Sequence, residues 1–520
     1  MECSISKTLL LSCVLLSLYS VIRFAYMIWF GPKRLEKQLR KQGIRGNSYK
    51  LFNGDGEAIT KSSMRALSKP IALNDQINPR VLPFFHEMVK NYGKVSLSWF
   101  GTRPRLILAD PEMIRWVLTD KNGHFVKPPL NPLVNLLQLG VSTLEGDKWA
   151  KRRKLMTPAF HYEKLKDILM INCYKQCMVP QFATSCSDLI NRWKKLVSPK
   201  GLCEIDVATE FDALAGDVIA RTAFGSSYQE GKRIFELQKE QVSLVLEAYR
   251  SIYIPGLRFI PTKKNKRRYD IDDEIKATLR DMIRRKEQAM QIDSPSNVDL
   301  LSLLIRCKRE AASDMTNEDI IEECKLLYFA GQETTANWLT WTLIVLSRNP
   351  NWQVKAREEV LQICGKKIPE IEDLNRLKSV TMILNEVFRL YPPVAALYRH
   401  TLKETNIKGM SIPAGVELYL PTIFVHHDPD YWGDNVEEFR PERFAEGVSK
   451  ASKDQMAFYP FGWGPRICLG QNFANIEAKM ALAMILQNFW FELSPSYTHA
   501  PYVNITLRPQ HGAPVILHQI

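Results

Sequence analysis

The stretch Phe461-Gly462-Trp463-Gly464-Pro465-Arg466-Ile467-Cys468-Leu469-Gly470 constrains this chain more than any other. It sets one cysteine in a turn crowded with glycines, with an arginine two residues before it and a long helical pattern, Gln471 to Trp490, directly after. Glycines at 462, 464 and 470 permit a tight backbone and the close approach of a flat ligand. A cysteine just ahead of a helix faces the positive end of the helix dipole. That favours its thiolate, the form that binds a metal. Phe461 is placed to shield the sulfur from water, and Arg466 to meet a carboxylate on whatever the sulfur holds. The loop fits either a buried free cysteine or a heme iron ligated by one thiolate, which pushes electron density towards bound oxygen. The fixed spacing F-x-x-G-x-R-x-C-x-G favours the heme.

Three further stretches bear on the same chemistry. Thr316, with Asp319 in the first turn, caps a long apolar-periodic helix that ends at Asn349-Pro350 and carries Ala330-Gly331-Gln332-Glu333-Thr334-Thr335. Glycine inside a helix costs roughly 1 kcal/mol against alanine, and paired threonines compete for its hydrogen bonds. A helix carrying both at its centre is expected to open there and admit something small, such as O2. Thr334 then serves as hydrogen-bond partner to dioxygen and Glu333 as proton donor through water; the alternative is a plain buried helix with a kink. Trp149 and Arg153 lie four apart on a short helix after Gly146-Asp147, so an indole N–H and a guanidinium share one face able to hold a heme propionate. Lys151, Arg152 and Lys154 point elsewhere, towards an acidic redox partner. Glu386 and Arg389 stand three apart on a helix beginning near Leu377, and their apolar flanks predict a buried pair.

Together these stretches resemble cytochromes P450, in several separate places covering nearly the whole chain. The resemblance implies a mainly α fold with small β-sheets (α+β). It also implies heme b as cofactor, with Cys468 on the iron and Trp149, Arg153, Arg399, Phe461, Arg466 and Gly470 around it. In that family Arg443 of Pro441-Glu442-Arg443-Phe444 joins Glu386 and Arg389 in a structural network. The greasy, proline-rich loop Phe125 to Val141 would roof the substrate. Leu133, Val134, Ala330, Val394, Ala395 and Leu397 are the residues expected to line its pocket. Gly31-Pro32 followed by Gln42-Gly43-Ile44-Arg45-Gly46-Asn47-Ser48-Tyr49, in place of the proline-rich hinge common in that family, and the tail Pro509-Gln510-His511-Gly512-Ala513 resemble the plant 72 clan (72A type). That kinship implies a terpenoid substrate (triterpenoid, iridoid or gibberellin-like) or a related specialised metabolite. A peroxide-rearranging heme-thiolate enzyme is the first rival, opposed by the intact Glu333–Thr334 pair. A non-enzymatic heme sensor or carrier is the second, and would leave the relay helix idle.

Leu9 to Phe30 is apolar apart from Arg23 and a few small polar residues, long enough for the about 20 residues that span a bilayer. Lys33, Arg34, Lys37, Arg40 and Lys41 follow and place the bulk of the chain in the cytosol. A cleaved signal peptide fits less well, since only Lys7 is basic ahead of the run and no small-x-small site follows it. We divide the chain into a membrane anchor (1–30), a basic linker (31–50) and a catalytic domain (51–520). It is expected as a single-pass protein of the endoplasmic reticulum, fed by an NADPH-dependent P450 reductase, because the chain carries no flavin- or nicotinamide-binding glycine motif. The net charge of +14 is spread among 56 acidic residues, which points to a membrane surface or acidic protein and away from nucleic acid. Ten scattered cysteines imply a reducing compartment. Asn504-Ile505-Thr506 matches a glycosylation acceptor but would face the cytosol.

Overall fold

The long central helix, Asn317–Arg348, begins with the expected capping box: the Asp319 amide donates to Thr316 Oγ1 (3.1 Å) and the Thr316 amide to Asp319 Oδ2 (2.8 Å). These reciprocal bonds satisfy donors that a helix start leaves open. The computed structural model describes the chain except residues 1, 130, 138, 161–167, 198–200, 227, 251–255, 293–298 and 310–314. Within it the central helix is uninterrupted. Most of its positions from Ile320 to Tyr328 and all from Thr335 to Leu346 are buried, while Phe329 to Thr334 keep accessible surface. The expected opening at Gly331 is absent. A Cβ there would lie 2.9 Å from Ile219 Cδ1, so the glycine lets the helix Val207–Phe224 pack closely alongside. That neighbouring helix ends at Gly225 in the left-handed conformation (φ 63°).

The alternating apolar run around Gly101-Thr102 forms a hairpin, Val95–Phe100 against Arg103–Leu108, with Phe100 opposite Arg103. It sits inside a six-stranded sheet in the order Arg45–Gly46, Val95–Phe100, Arg103–Leu108, Glu417–Leu420, Leu397–Thr401, Phe125–Val126. The last pairing is antiparallel, with Phe125 opposite Thr401 and Val126 opposite His400, which carries Lys127 alongside Arg399. The helix after the cysteine loop is Gln471–Asn488. It stops two residues short of the expected Trp490 because Phe489–Leu493 pairs with Pro514–Gln519 as a strand. One apolar core runs from Leu39 to Leu517.

Segment 31–50, read from sequence as a basic linker, folds onto the sheet. Gly31–Lys41 is helical, Leu39 is fully buried, and Arg45–Gly46 pairs in parallel with Ser96–Leu97. The apolar segment ahead of it is one helix, Glu2–Ala25, continued by a π-helical turn, Tyr26–Phe30.

Candidate active site

Two glycines shape the cysteine loop. Gly462 and Gly464 take φ of 75° and 71°, and a Cβ on Gly464 would meet the Leu118 carbonyl oxygen at 2.2 Å, so the loop backbone lies directly on the helix Pro111–Thr119. The Cys468 amide donates to the Phe461 carbonyl (2.8 Å), closing the turn. The Phe461 ring packs edge-on against Phe388 (4.9 Å) and Trp338 (6.3 Å). Trp338 lies one turn beyond Thr334, so the accessible stretch of the central helix adjoins the loop.

Cys468 keeps exposed surface, and Lys127 some, although both are densely surrounded by protein. Their surface therefore belongs to an interior cleft. Burial raises the Cys468 thiol above its ordinary pKa; the Gly470 amide and the Arg153 charge oppose this and do not overcome it. The thiolate is thus not supplied by the helix end, as the sequence suggests. Cys468 would hold a metal cation as its thiolate, and the cation's charge would favour loss of the thiol proton.

Four cations converge around the cleft. Arg153 Nη2 donates to the Ile467 carbonyl (2.7 Å), Arg466 lies over the Trp149 ring (4.5 Å), and Arg399 Nη1 donates to the Tyr398 carbonyl (2.8 Å). Lys127 is the fourth. Burial, then the charges of Arg399 and Arg466, pushes it down to about 7. Burial, then Arg466, lowers Arg399 to about 10. Among the described residues Glu145 is the carboxylate that meets them: it pairs with Arg466 and accepts the Lys127 amide (2.7 Å). Three guanidiniums, and a lysine only about half protonated at neutral pH, stand against one carboxylate and leave the cleft short of negative charge. A ligand carrying two carboxylates would relieve that, and heme carries two propionates, so the residues present fit the group.

Glu333 does not project freely. Its carboxylate accepts from Thr506 Oγ1 (2.6 Å) and Asn337 Nδ2 (3.4 Å) and pairs with Arg508 (3.3 Å), which also grips Asp212 (2.8 Å). Thr334 Oγ1 donates back to the Ala330 carbonyl (2.8 Å). Thr506, the threonine of the glycosylation-like triplet, is thereby committed and buried. Ala330 is exposed on the cleft side of the helix, and Val134, Val394 and Leu397 keep partial surface. Leu133 and Ala395 are buried. Leu397 reaches the loop itself, where a Cβ on Gly462 would lie 3.8 Å from its Cδ1.

Glu386 and Arg389 are fully buried and joined by two bonds of 2.8 Å. Arg389 also donates to the His426 carbonyl (3.0 Å), and Arg443 Nε lies 3.4 Å from Glu386. Arg152 requires a correction. Its guanidinium turns inward to Glu323 (2.8 Å) and Asp319 (3.1 Å) on the central helix, so it is not a surface charge. Helix phase explains this: Arg152 precedes the half-buried Arg153 by one position and shares the inner face with Met156, while Lys151 and Lys154 are exposed. Lys127 and Glu145 beside the arginines, and Thr506, Arg508 and Asp212 around Glu333, are neighbours that the sequence did not reveal. The Lys127-Pro128-Pro129 start of the loop was the one available signal.

A family model described as cytochrome P450 matches residues 75–511. The chain is 50% identical over 504 residues to cytochrome P450 CYP72A616 of Paris polyphylla, covering 95% of each. It is 46% identical to 7-deoxyloganic acid hydroxylase of Catharanthus roseus and 45% identical to cytochrome P450 72A15 of Arabidopsis thaliana, covering the whole of each.

Proposed function

Because the chain belongs to the cytochrome P450 family, a family of heme-binding monooxygenases, we propose that it hydroxylates an apolar terpenoid or related specialised metabolite. Triterpenoid, iridoid and gibberellin-like skeletons are the candidate classes. It would draw electrons from an NADPH-dependent P450 reductase and sit on the cytosolic face of the endoplasmic reticulum by a single N-terminal span. The observation that carries this reading is the cation-rich cleft in which an accessible cysteine adjoins the accessible turn of the central helix. A relative named for hydroxylating 7-deoxyloganic acid supports the substrate class.

When bound, heme supplies the oxygen-activating chemistry that no side chain can provide. Cys468 would hold its iron, and Trp149, Lys127, Arg153, Arg399 and Arg466 its propionates. Thr334 would present its hydroxyl to the cleft by giving up its bond to the Ala330 carbonyl. Glu333 would hold the next proton, with Thr506 and Arg508 fixing where its carboxylate lies. Val134, Ala330, Val394 and Leu397 would hold the substrate by shape and exclude water around it.

The direct test screens terpenoids for the spectral shift that accompanies loss of water from the iron, then follows hydroxylation with NADPH and reductase. At least one skeleton is expected to shift the spectrum and gain a hydroxyl group. Turnover of peroxides without NADPH, or no NADPH use with any ligand, would overturn the reading. With a substrate in hand, Thr334→Ala is expected to cut product formation by ~100-fold or more, as for loss of a general acid–base group, while NADPH use continues and peroxide is released. Unchanged coupling would remove Thr334 from the relay.

Reductase docking is assigned to the exposed Lys151 and Lys154, without Arg152. Reversing both to glutamate is expected to slow reduction of the iron, most strongly at low salt where the Debye length is long. A rate unchanged at low salt would move the docking face elsewhere.

A further inference from the structure

Segment 31–50 is held to the sheet more firmly than joining two parts of a chain requires. The apolar helix Glu2–Ala25 passes through the π-helical turn Tyr26–Phe30 into Gly31–Lys41 with no break, and the Gly31 amide donates to the Tyr26 carbonyl. Tyr49 then clasps this helix from the sheet side. Its hydroxyl donates to the Ile28 carbonyl (2.5 Å), and its ring lies between Trp29 (6.1 Å) and the fully buried Trp99 (4.8 Å). Trp99 Nε1 donates to the Asn47 carbonyl (3.1 Å). Glu36 is buried between Lys33 (2.8 Å) and Arg40 (3.1 Å) and accepts the Tyr49 amide (3.4 Å). Burial would raise the Glu36 pKa, yet the bonds from Lys33 and Arg40 outweigh it and leave it below the ordinary range. Leu39 closes the contact with no exposed surface.

The next turn has a second unusual feature. Phe52 takes φ of 62°, a left-handed conformation costly for a bulky residue, and leaves both Leu51 and Phe52 exposed. Asp55, buried behind it, fixes the turn by accepting from the Trp99 amide (2.9 Å) and Asn47 Nδ2 (2.8 Å). Strain that displays two apolar side chains beside a helix able to cross a bilayer suits a lipid surface and does not suit water. Arg34, Lys37 and Lys41, exposed on the same helix, match anionic lipid headgroups.

We propose that Ile28 to Tyr49 lock the apolar helix to the catalytic sheet as one rigid body, so that the catalytic domain sits on the bilayer at a single tilt with the Leu51–Phe52 turn on the lipid surface. A flexible tether would leave the domain free to roll. The locked form holds the cleft and its mouth in one relation to the membrane. This inference rests on the reading of Leu9 to Phe30 as a membrane anchor.

The test uses the full-length holoenzyme in oriented bilayers of phosphatidylcholine with phosphatidylserine, and measures the polarised absorbance of the heme band. The wild-type chain is expected to remain with the membrane after an alkaline wash and to give a dichroic ratio well away from unity. A six-residue Gly-Ser insertion between Phe30 and Gly31, combined with Tyr49→Phe, is expected to move that ratio towards unity while the carbon monoxide spectrum stays unchanged. Leu51→Ser with Phe52→Ser is expected to shift the ratio less. If the wild type is washed off, the anchor reading and the lock both fail. If it stays and the insertion leaves the ratio unchanged, the lock alone is overturned.

Discussion

Cys468→Ala is expected to abolish the red-shifted absorption band that a carbon monoxide complex shows when a thiolate holds the iron, and with it all NADPH-driven turnover. No other described cysteine is placed to substitute. Cys186, Cys324 and Cys364 are buried, which raises their thiols; Cys203 lies on the strand Leu202–Asp206, Cys307 on the helix Leu300–Arg309 and Cys13 in the N-terminal apolar helix, none of them on the cysteine loop. Cys468 combines an accessible sulfur with an enclosed setting, so water and buffer thiols do not compete freely for the metal. Because burial disfavours its thiolate, the metal and the deprotonation should arrive together. Heme uptake by the apoprotein is accordingly expected to release a proton and to slow as pH falls. The decisive measurement is the spectrum of the carbon monoxide complex. A Cys468→Ala protein that keeps the thiolate band would place the ligand elsewhere and remove the basis of the proposed chemistry.

Glu386→Ala is expected to prevent accumulation of folded holoprotein. Arg389 is fully buried, and Glu386 is its charge partner through two hydrogen bonds. Removing one member of a buried pair typically costs 3–5 kcal/mol, because the other charge stays buried without compensation. That is a large part of the 5–15 kcal/mol by which a domain is usually stable. The loss reaches the cysteine loop through two routes. Glu386 Oε1 also accepts the Arg440 amide (3.0 Å), and Phe388 on the same helix holds the Phe461 ring. Glu386→Gln keeps the shape and some hydrogen bonds and should fall between. Denaturant midpoints and the yield of the carbon monoxide band check the order. An alanine variant with the wild-type midpoint would make the network a bystander.

The elements that were legible in the sequence have local causes. Thr316 and Asp319 form a capping box because both partners lie within one turn. Glu386 meets Arg389 because helix pitch brings them together. Arg152 was misread for the opposite reason. Its neighbours along the chain are basic and solvated, while its partners Asp319 and Glu323 come from another helix. Gly331 suggested a gap in its own helix, yet the side chain that explains it, Ile219, belongs to a different one. Segment 31–50 reads as a basic linker by composition, and only the contact of Tyr49 with Ile28 and Trp99 shows it to be part of the body.

By itself, the sequence determined the local groupings: a cysteine in a glycine-bent loop, an acid beside a threonine, and a buried acid–arginine pair. Helix pitch and turn geometry act over a few residues, so such groupings survive as fixed spacings along the chain. Tertiary structure alone decided which charges share the cleft. Strand register carries Lys127 alongside Arg399, helix packing adds Arg153 and Arg466, and a hairpin from the end of the chain brings Thr506 and Arg508 to Glu333. Electrostatic interactions depend on distance through space, and no spacing along the chain records that distance once the residues belong to separate elements.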